Sequence, residues 1–325
     1  MKVCVFGAGA IGGHVATRLL AAKSAEVSVV ARGPALAAMR SRGLTLRYNG
    51  KEEITARVPV ATDDPSTLPP HDYVIVTLKA PALPGVATTL ATLAKPEGCV
   101  VFLTNGIPWW WPQGIGQPGP LKRLDPEGAL WSGLRTRTLG CVVYSPNEPV
   151  EPGVIVHRGA NRWIMGEPDN TVTPRLTRIV EAFNAAGLKA EASINVRREV
   201  WLKLVRNASN NTLSALIRRP LAEASGDPEL RRIAAGLIRE TVDVGVALGH
   251  DIRSEVNVEE MTTRAELKGG PRTSMLQDVL QGRAMEVEAL LGQTQAYARE
   301  HGVAVPTIDM ILPLLRALDE SSRAS

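Results

Sequence analysis

Two rhythms of apolar and polar residues divide the chain. In its first half the apolar residues come in short, nearly unbroken runs: Lys2–Phe6, Glu26–Ala31, Tyr73–Leu78 and Cys99–Leu103. Such runs suit central parallel strands buried on both faces. Leu44–Tyr48 and Ile54–Pro59 read as an antiparallel excursion. Gly140–Tyr144 and Gly153–Arg158 read as further strands, and Trp163–Gly166 as the last strand closing the sheet. Beyond a polar stretch with two prolines, Glu167–Pro174, the spacing becomes helical. It predicts helices over Pro174–Ala186, Trp201–Leu216, Pro228–Leu248, Ser274–Ala298 and Pro306–Leu318, with a short extended piece at Leu188–Ser193. The prediction is an α/β domain over 1–170 and a mainly α-helical domain over 171–325.

The first strand runs straight into Gly7-Ala8-Gly9-Ala10-Ile11-Gly12, and a helical pattern follows at once. Strand, glycine turn and helix in this order are what a Rossmann-type dinucleotide site requires. Gly7 permits the turn, Gly9 lets the backbone approach a pyrophosphate, and Gly12 lets the helix pack close. The helix N-terminus offers free N–H groups to the phosphates. The second strand ends in Ala31-Arg32-Gly33, with no carboxylate to hold a ribose hydroxyl. Arg32 is placed to pair with a 2′-phosphate, which favours NADP(H) over NAD(H); the alternative is a solvated loop arginine. Lys79 and Asn105 sit at the carboxyl ends of two strands, where open α/β sheets bind ligands. Asn105-Gly106 is either a plain turn or an amide presented to nicotinamide or substrate.

In the predicted helix Trp201–Leu216, Lys203, Asn207 and Asn211 recur at steps of four. At about 100° per residue they fall within roughly 80° of arc and face one place, although Asn210 also lies about 20° from Lys203. An ammonium and two amides suit a polar pocket that protonates a carbonyl and orients its neighbours, with Lys203 as general acid. On a helix over Ser274–Ala298, Glu286 lies about 20° from Val279 on the inward stripe and Glu288 about 180° away. An inward carboxylate needs a partner, and Lys203 is the candidate; a structural ion pair is the other reading. Trp109-Trp110-Trp111 makes up half of the six tryptophans. It is either core packing or a wall over an active site.

A chain of 325 residues with 44% hydrophobic content has the material for two cores. The net charge of +4 is scattered, so neither nucleic acid nor a membrane surface is indicated as a partner. Three widely spaced cysteines, Cys4, Cys99 and Cys141, argue against a disulfide framework or a metal site and for a reducing, cytoplasmic setting. No apolar run approaches the roughly 20 residues of a membrane span.

Together GAGAIG (7–12), VTLKA (76–80), NG (105–106), WLKLVRNASNN (201–211) and SMLQDVLQGRAMEVE (274–288) resemble the ketopantoate reductase (2-dehydropantoate 2-reductase) family over almost the whole chain. The resemblance implies NADPH-dependent reduction of a 2-oxo acid, ketopantoate, to pantoate. It makes Lys203 the acid, and Asn207, Asn211 and Ser274 substrate contacts; Asn211 is preferred over Asn210 on this ground. Lys79 and Asn105 would lie near cofactor and substrate, and Glu286 would touch the cofactor or the lysine. It also implies a cleft between the domains and a homodimer. The chain departs from the family's usual pattern in NGIPWWWP (105–112), at Arg218-Arg219-Pro220-Leu221 and at Gly269-Gly270-Pro271-Arg272-Thr273. These changes bear on the substrate. Reduction of a different 2-oxo acid, or NADPH binding by a non-catalytic regulator, are the competing readings.

Overall fold

The computed structural model describes residues 1–48, 52–220, 226–263 and 272–324. Leu221 and Gly269-Gly270-Pro271, singled out above, lie outside them. The chain forms two compact units. The first comprises Met1–Leu78, Ala82–Thr104 and Trp109–Val196; the second comprises Lys79–Pro81, Asn105–Pro108 and Arg197–Ser325.

The main sheet of the first unit has eight strands among the described residues. At its centre lie β1 (Lys2–Phe6), β6 (His71–Val76) and β7 (Ala94–Phe102), flanked by β2 (Glu26–Val30) and β5 (Val60–Thr62) on one side. β8 (Thr138–Tyr144), β11 (Arg162–Gly166) and β12 (Lys189–Ala192) follow on the other. The strands from β5 to β8 are parallel, and β11 runs against β8. Val3, Val5, Ile75 and Val101 are almost wholly buried, as their unbroken apolar runs require.

Two expectations change here. Trp163–Gly166 does not close the sheet, because β12 pairs beyond it. The sequence KAEA has no apolar run, and an edge strand with both faces largely exposed needs none. β12 and the helix α5 (Pro174–Ala185) therefore belong to the first unit, which extends past residue 170 to Val196. The excursion is real: β3 (Leu44–Tyr48) and β4 (Glu52–Ala56) pair antiparallel. It joins β10 (Val154–His157) and β9 (Asn147–Glu151) in a separate four-stranded sheet, which the sequence did not signal.

The second unit is helical. It contains α6 (Val196–Leu216) from Arg197 onward, α7 (Pro228–Ala247), α8 (Val258–Thr263), α9 (Ser274–Leu280), α10 (Gln293–Glu300) and α11 (Pro306–Ala324). Trp201 of α6 packs where a Cβ on Gly245 of α7 would lie, 2.1 Å from its Nε1, and donates to Thr241 O at 2.9 Å. Removing that buried indole would cost about 3–5 kcal/mol. The Glu240 carboxylate accepts from the N–H groups of Thr307 and Ile308, at 2.7 and 2.8 Å, and so caps α11.

The helix expected over Ser274–Ala298 is broken. α9 stops at Leu280, Gly282 takes a left-handed φ of 61°, and Arg283 N–H closes back on Asp278 O at 2.9 Å. This is the stop that a glycine after a helix signals. Residues 283–286 have no regular secondary structure, and helix resumes at Val287 and runs into a π turn at Glu288–Gly292. Glu286 is buried all the same, but its direction comes from this irregular segment and not from a helical wheel.

Candidate active site

In the first unit, the turn after β1 has the geometry its glycines demand. Gly7 adopts a φ of 99°, and its carbonyl accepts Thr77 Oγ1 at 2.7 Å. A Cβ on Gly12 would lie 1.9 Å from Gly7 O, so no other residue allows the helix α1 (Ala10–Ala22) to come so close. At Gly9 a Cβ would meet nothing within 4 Å. Gly9 is the N-cap of α1, makes no side-chain capping bond, and no acidic residue stands in the first turn. The amides around Ala10 and Ile11 thus start a helix whose positive end is uncompensated. Open space over Gly9 beside that helix end fits a dinucleotide pyrophosphate. Arg32, two residues past β2, is an exposed residue that stands at the N-cap of α2 (Gly33–Arg42) and makes no side-chain capping bond there.

In the second unit, the loops after β6 and β7 meet α9 and the residues that follow it. Lys79 Nζ pairs with Asp278 Oδ2. Arg283 donates to the other oxygen, Oδ1, at 3.1 Å. Asp278 is almost wholly buried, Lys79 about two-thirds and Arg283 about half so. Burial holds the Lys79 ammonium below its ordinary range; Glu286 works against this, and Arg283 adds to it. Asn105 Nδ2 donates to Glu286 Oε2 at 2.9 Å, and Ala80 N–H reaches Oε1 at 3.4 Å. Asn105 and Ala80 thus both donate to the Glu286 carboxylate. The wheel that aimed Glu286 at α6 assumed a helix that stops at Leu280.

On α6, Lys203, Asn207 and Asn210 are half-buried and Asn211 is buried. Asn211 Nδ2 lies 3.5 Å from Ser274 Oγ, at the start of α9. The structure thus brings Asn211 and Ser274 together, and separately Asn105 with Glu286. Asp278 is the residue the sequence did not single out. Its signal is a carboxylate among Met275, Leu276 and Val279 on the buried face of α9.

Trp109, Trp110 and Trp111 are buried in the first unit. Trp109 packs edge-on against Phe102 with ring centroids 5.3 Å apart, and Trp110 fills the space over Gly140, 2.3 Å from where a Cβ would stand. Of the two readings of this loop, core packing is the one realised.

Family models match both parts of the chain. The ketopantoate reductase PanE/ApbA model covers residues 3–170, and the ketopantoate reductase PanE/ApbA C-terminal model covers 195–319. A 2-dehydropantoate 2-reductase from Mesorhizobium japonicum is 38% identical over 323 residues, 98% of either chain. The chain belongs to the ketopantoate reductase family. It is an oxidoreductase of the 2-dehydropantoate 2-reductase type, dependent on a pyridine nucleotide. A crystal structure described as a ketopantoate reductase from Ralstonia solanacearum MolK2 superposes with a TM-score of 0.89 at 36% identity, covering 99% of this chain and 98% of that one. The family fold extends to D-mandelate dehydrogenase with NADH and anilino(oxo)acetate, at a TM-score of 0.80 and 20% identity, over 99% of each chain. At that distance the likeness shows the fold alone. Among the described residues no helix is long and apolar enough to cross a membrane.

Proposed function

We propose that the protein reduces ketopantoate to pantoate with NADPH, and that Lys203 is the general acid. The observation that carries this reading is the approach of Asn211 Nδ2 to Ser274 Oγ at 3.5 Å. Two residues 63 positions apart, both assigned to substrate, converge beside the polar stripe of Lys203 and Asn207.

Bound NADPH supplies the hydride to the 2-oxo carbon. Lys203 Nζ gives a proton to the carbonyl oxygen as the C=O bond becomes C–OH, and recovers one from water. The amides of Asn207 and Asn211 and the hydroxyl of Ser274 hold the substrate carboxylate and hydroxyl. Asn105 and Lys79 line the same site, with Asn105 steadied by Glu286 and Lys79 by Asp278. On the cofactor, Gly7–Gly12 receives the pyrophosphate and Arg32 the 2′-phosphate. No carboxylate stands beside Arg32 at Ala31 or Gly33 to oppose that charge.

The same reading makes the protein a homodimer. Met310 and Leu314, one turn apart on α11, are 67% and 58% exposed and offer apolar surface for a second copy. Analytical sedimentation is expected to give a dimer; a monomer at micromolar concentration would reject it.

The function is tested with the purified protein, NADPH and a panel of 2-oxo acids. Ketopantoate is expected to give the highest kcat/KM. A higher value for another acid would replace ketopantoate as the substrate.

A further inference from the structure

The chain between Glu286 and α10 has a feature that the reaction itself does not call for. Residues Glu288–Gly292 form a π turn, and Gln293 N–H bonds to Glu288 O, five residues back. Such a turn is intrinsically unfavourable and persists only where its surroundings hold it. Here Arg316 of α11 grips the Glu288 side chain. Its Nε donates to Glu288 Oε1 at 2.7 Å and its Nη2 to Oε2 at 2.9 Å, a two-pronged pair. The carboxylate lies over Gly292, where a Cβ would stand 2.1 Å from Oε2. Both side chains of the pair are more than a third exposed, so its contribution to overall stability is small.

What the turn supports is the loop that carries Asn105. The carbonyl of Ala289, inside the turn, accepts Ile107 N–H at 2.8 Å. Gly106 adopts a φ of 76° and presses so closely that a Cβ would lie 2.4 Å from Ala289 O and 2.6 Å from its carbonyl carbon. The Asn105-Gly106-Ile107 turn therefore sits directly on the π turn. That seat fixes where Asn105 Nδ2 meets Glu286 Oε2. One residue before the π turn begins, Val287 continues directly from Glu286, so both members of the Asn105–Glu286 pair are referenced to the same short backbone segment.

We propose that Arg316 is a positioning residue for the reaction: by holding Glu288 it sets the π turn, and through Ala289 the π turn sets Asn105 against Glu286. This rests on the reading above that Asn105 serves the reaction. Arg316 bonds to Glu288, not to Asn105 or Glu286.

A double-mutant cycle tests it, using Arg316→Gln, Asn105→Ala and both together in the full chain, with kcat and KM for ketopantoate and NADPH. Arg316→Gln is expected to lower kcat/KM about tenfold through misplacement while the unfolding midpoint stays near that of the wild type. In the Asn105→Ala background the same substitution is expected to change kcat/KM by less than about twofold, because the group it positions is gone. Arg316→Lys, which keeps the charge without the fork, is expected to recover part of the loss. Glu288→Gln serves as a second variant and is expected to reproduce Arg316→Gln. A neutral Arg316→Gln, or a loss that adds in full on Asn105→Ala, overturns the proposal. If Asn105→Ala alone leaves kcat/KM unchanged, the functional reading of Asn105 fails and this inference falls with it.

Discussion

Asp278 and Lys79 form an ion pair in the second unit, with the carboxylate almost wholly buried and the ammonium about a third exposed. Arg283 occupies the other carboxylate oxygen at 3.1 Å. One buried anion thus gathers two cations from the loop after β6 and from the irregular segment after α9. Replacing Asp278 by asparagine keeps the shape and removes the charge. Two cations would then face a neutral amide. Because both are partly solvated, the expected cost is about 1–3 kcal/mol, less than for a fully buried pair. Urea unfolding of Asp278→Asn measures it; a midpoint equal to the wild type would show that the pair is immaterial.

The dinucleotide turn was legible in the sequence because its constraint is local. Gly7, Gly9 and Gly12 each answer a backbone demand set within a few residues, and the structure shows a left-handed turn, an open space and a close approach at those three places. The stripe on α6 was legible for the same reason, since helical periodicity fixes which side chains share a face. The partner of Glu286 was not. That assignment needed the chain to stay helical through residue 286, and Gly282 ends the helix first. Gly282 was in view, but one glycine in a helical pattern does not decide between tolerance and termination. The role of Asp278 depends on Lys79, which lies 199 residues away, a distance no local pattern spans. The three tryptophans suited a core and a binding wall equally, and only their contacts with Phe102 and Gly140 separate the two.

Arg32 bears on cofactor choice. If it meets the 2′-phosphate, Arg32→Asp replaces an attraction with a repulsion at that group. The Kd for NADPH is expected to rise at least about tenfold, as for loss of a charge-assisted hydrogen bond, with NADH far less affected. Fluorescence titration with both nucleotides checks this. An equal loss for the two would remove Arg32 from the phosphate site.

The first unit carries a pH response of its own. His14 is buried, and burial, with His157 beside it, pushes its imidazole down to about 3 from an ordinary 6.5; the bond to Asn147 opposes this and Arg18 adds to the lowering. Burial lowers His157 as well. The unfolded chain takes up protons on these imidazoles below about pH 6.5, while folded His14 resists until near 3. The unfolded state therefore binds more protons across that window, and stability falls as pH drops through it, by up to about 1.4 kcal/mol per pH unit for His14. Denaturant unfolding at pH 7 and pH 5 is expected to show the loss, and His14→Leu to make it shallower. A wild-type protein equally stable at both values would contradict this.

The most direct test of the proposed chemistry is the turnover of Lys203→Ala with ketopantoate at saturating NADPH. Loss of a general acid predicts a fall in kcat of at least roughly a hundredfold, with the Kd for NADPH close to that of the wild type. A variant that turns ketopantoate over at near the wild-type rate would contradict the assignment of Lys203 as the proton donor.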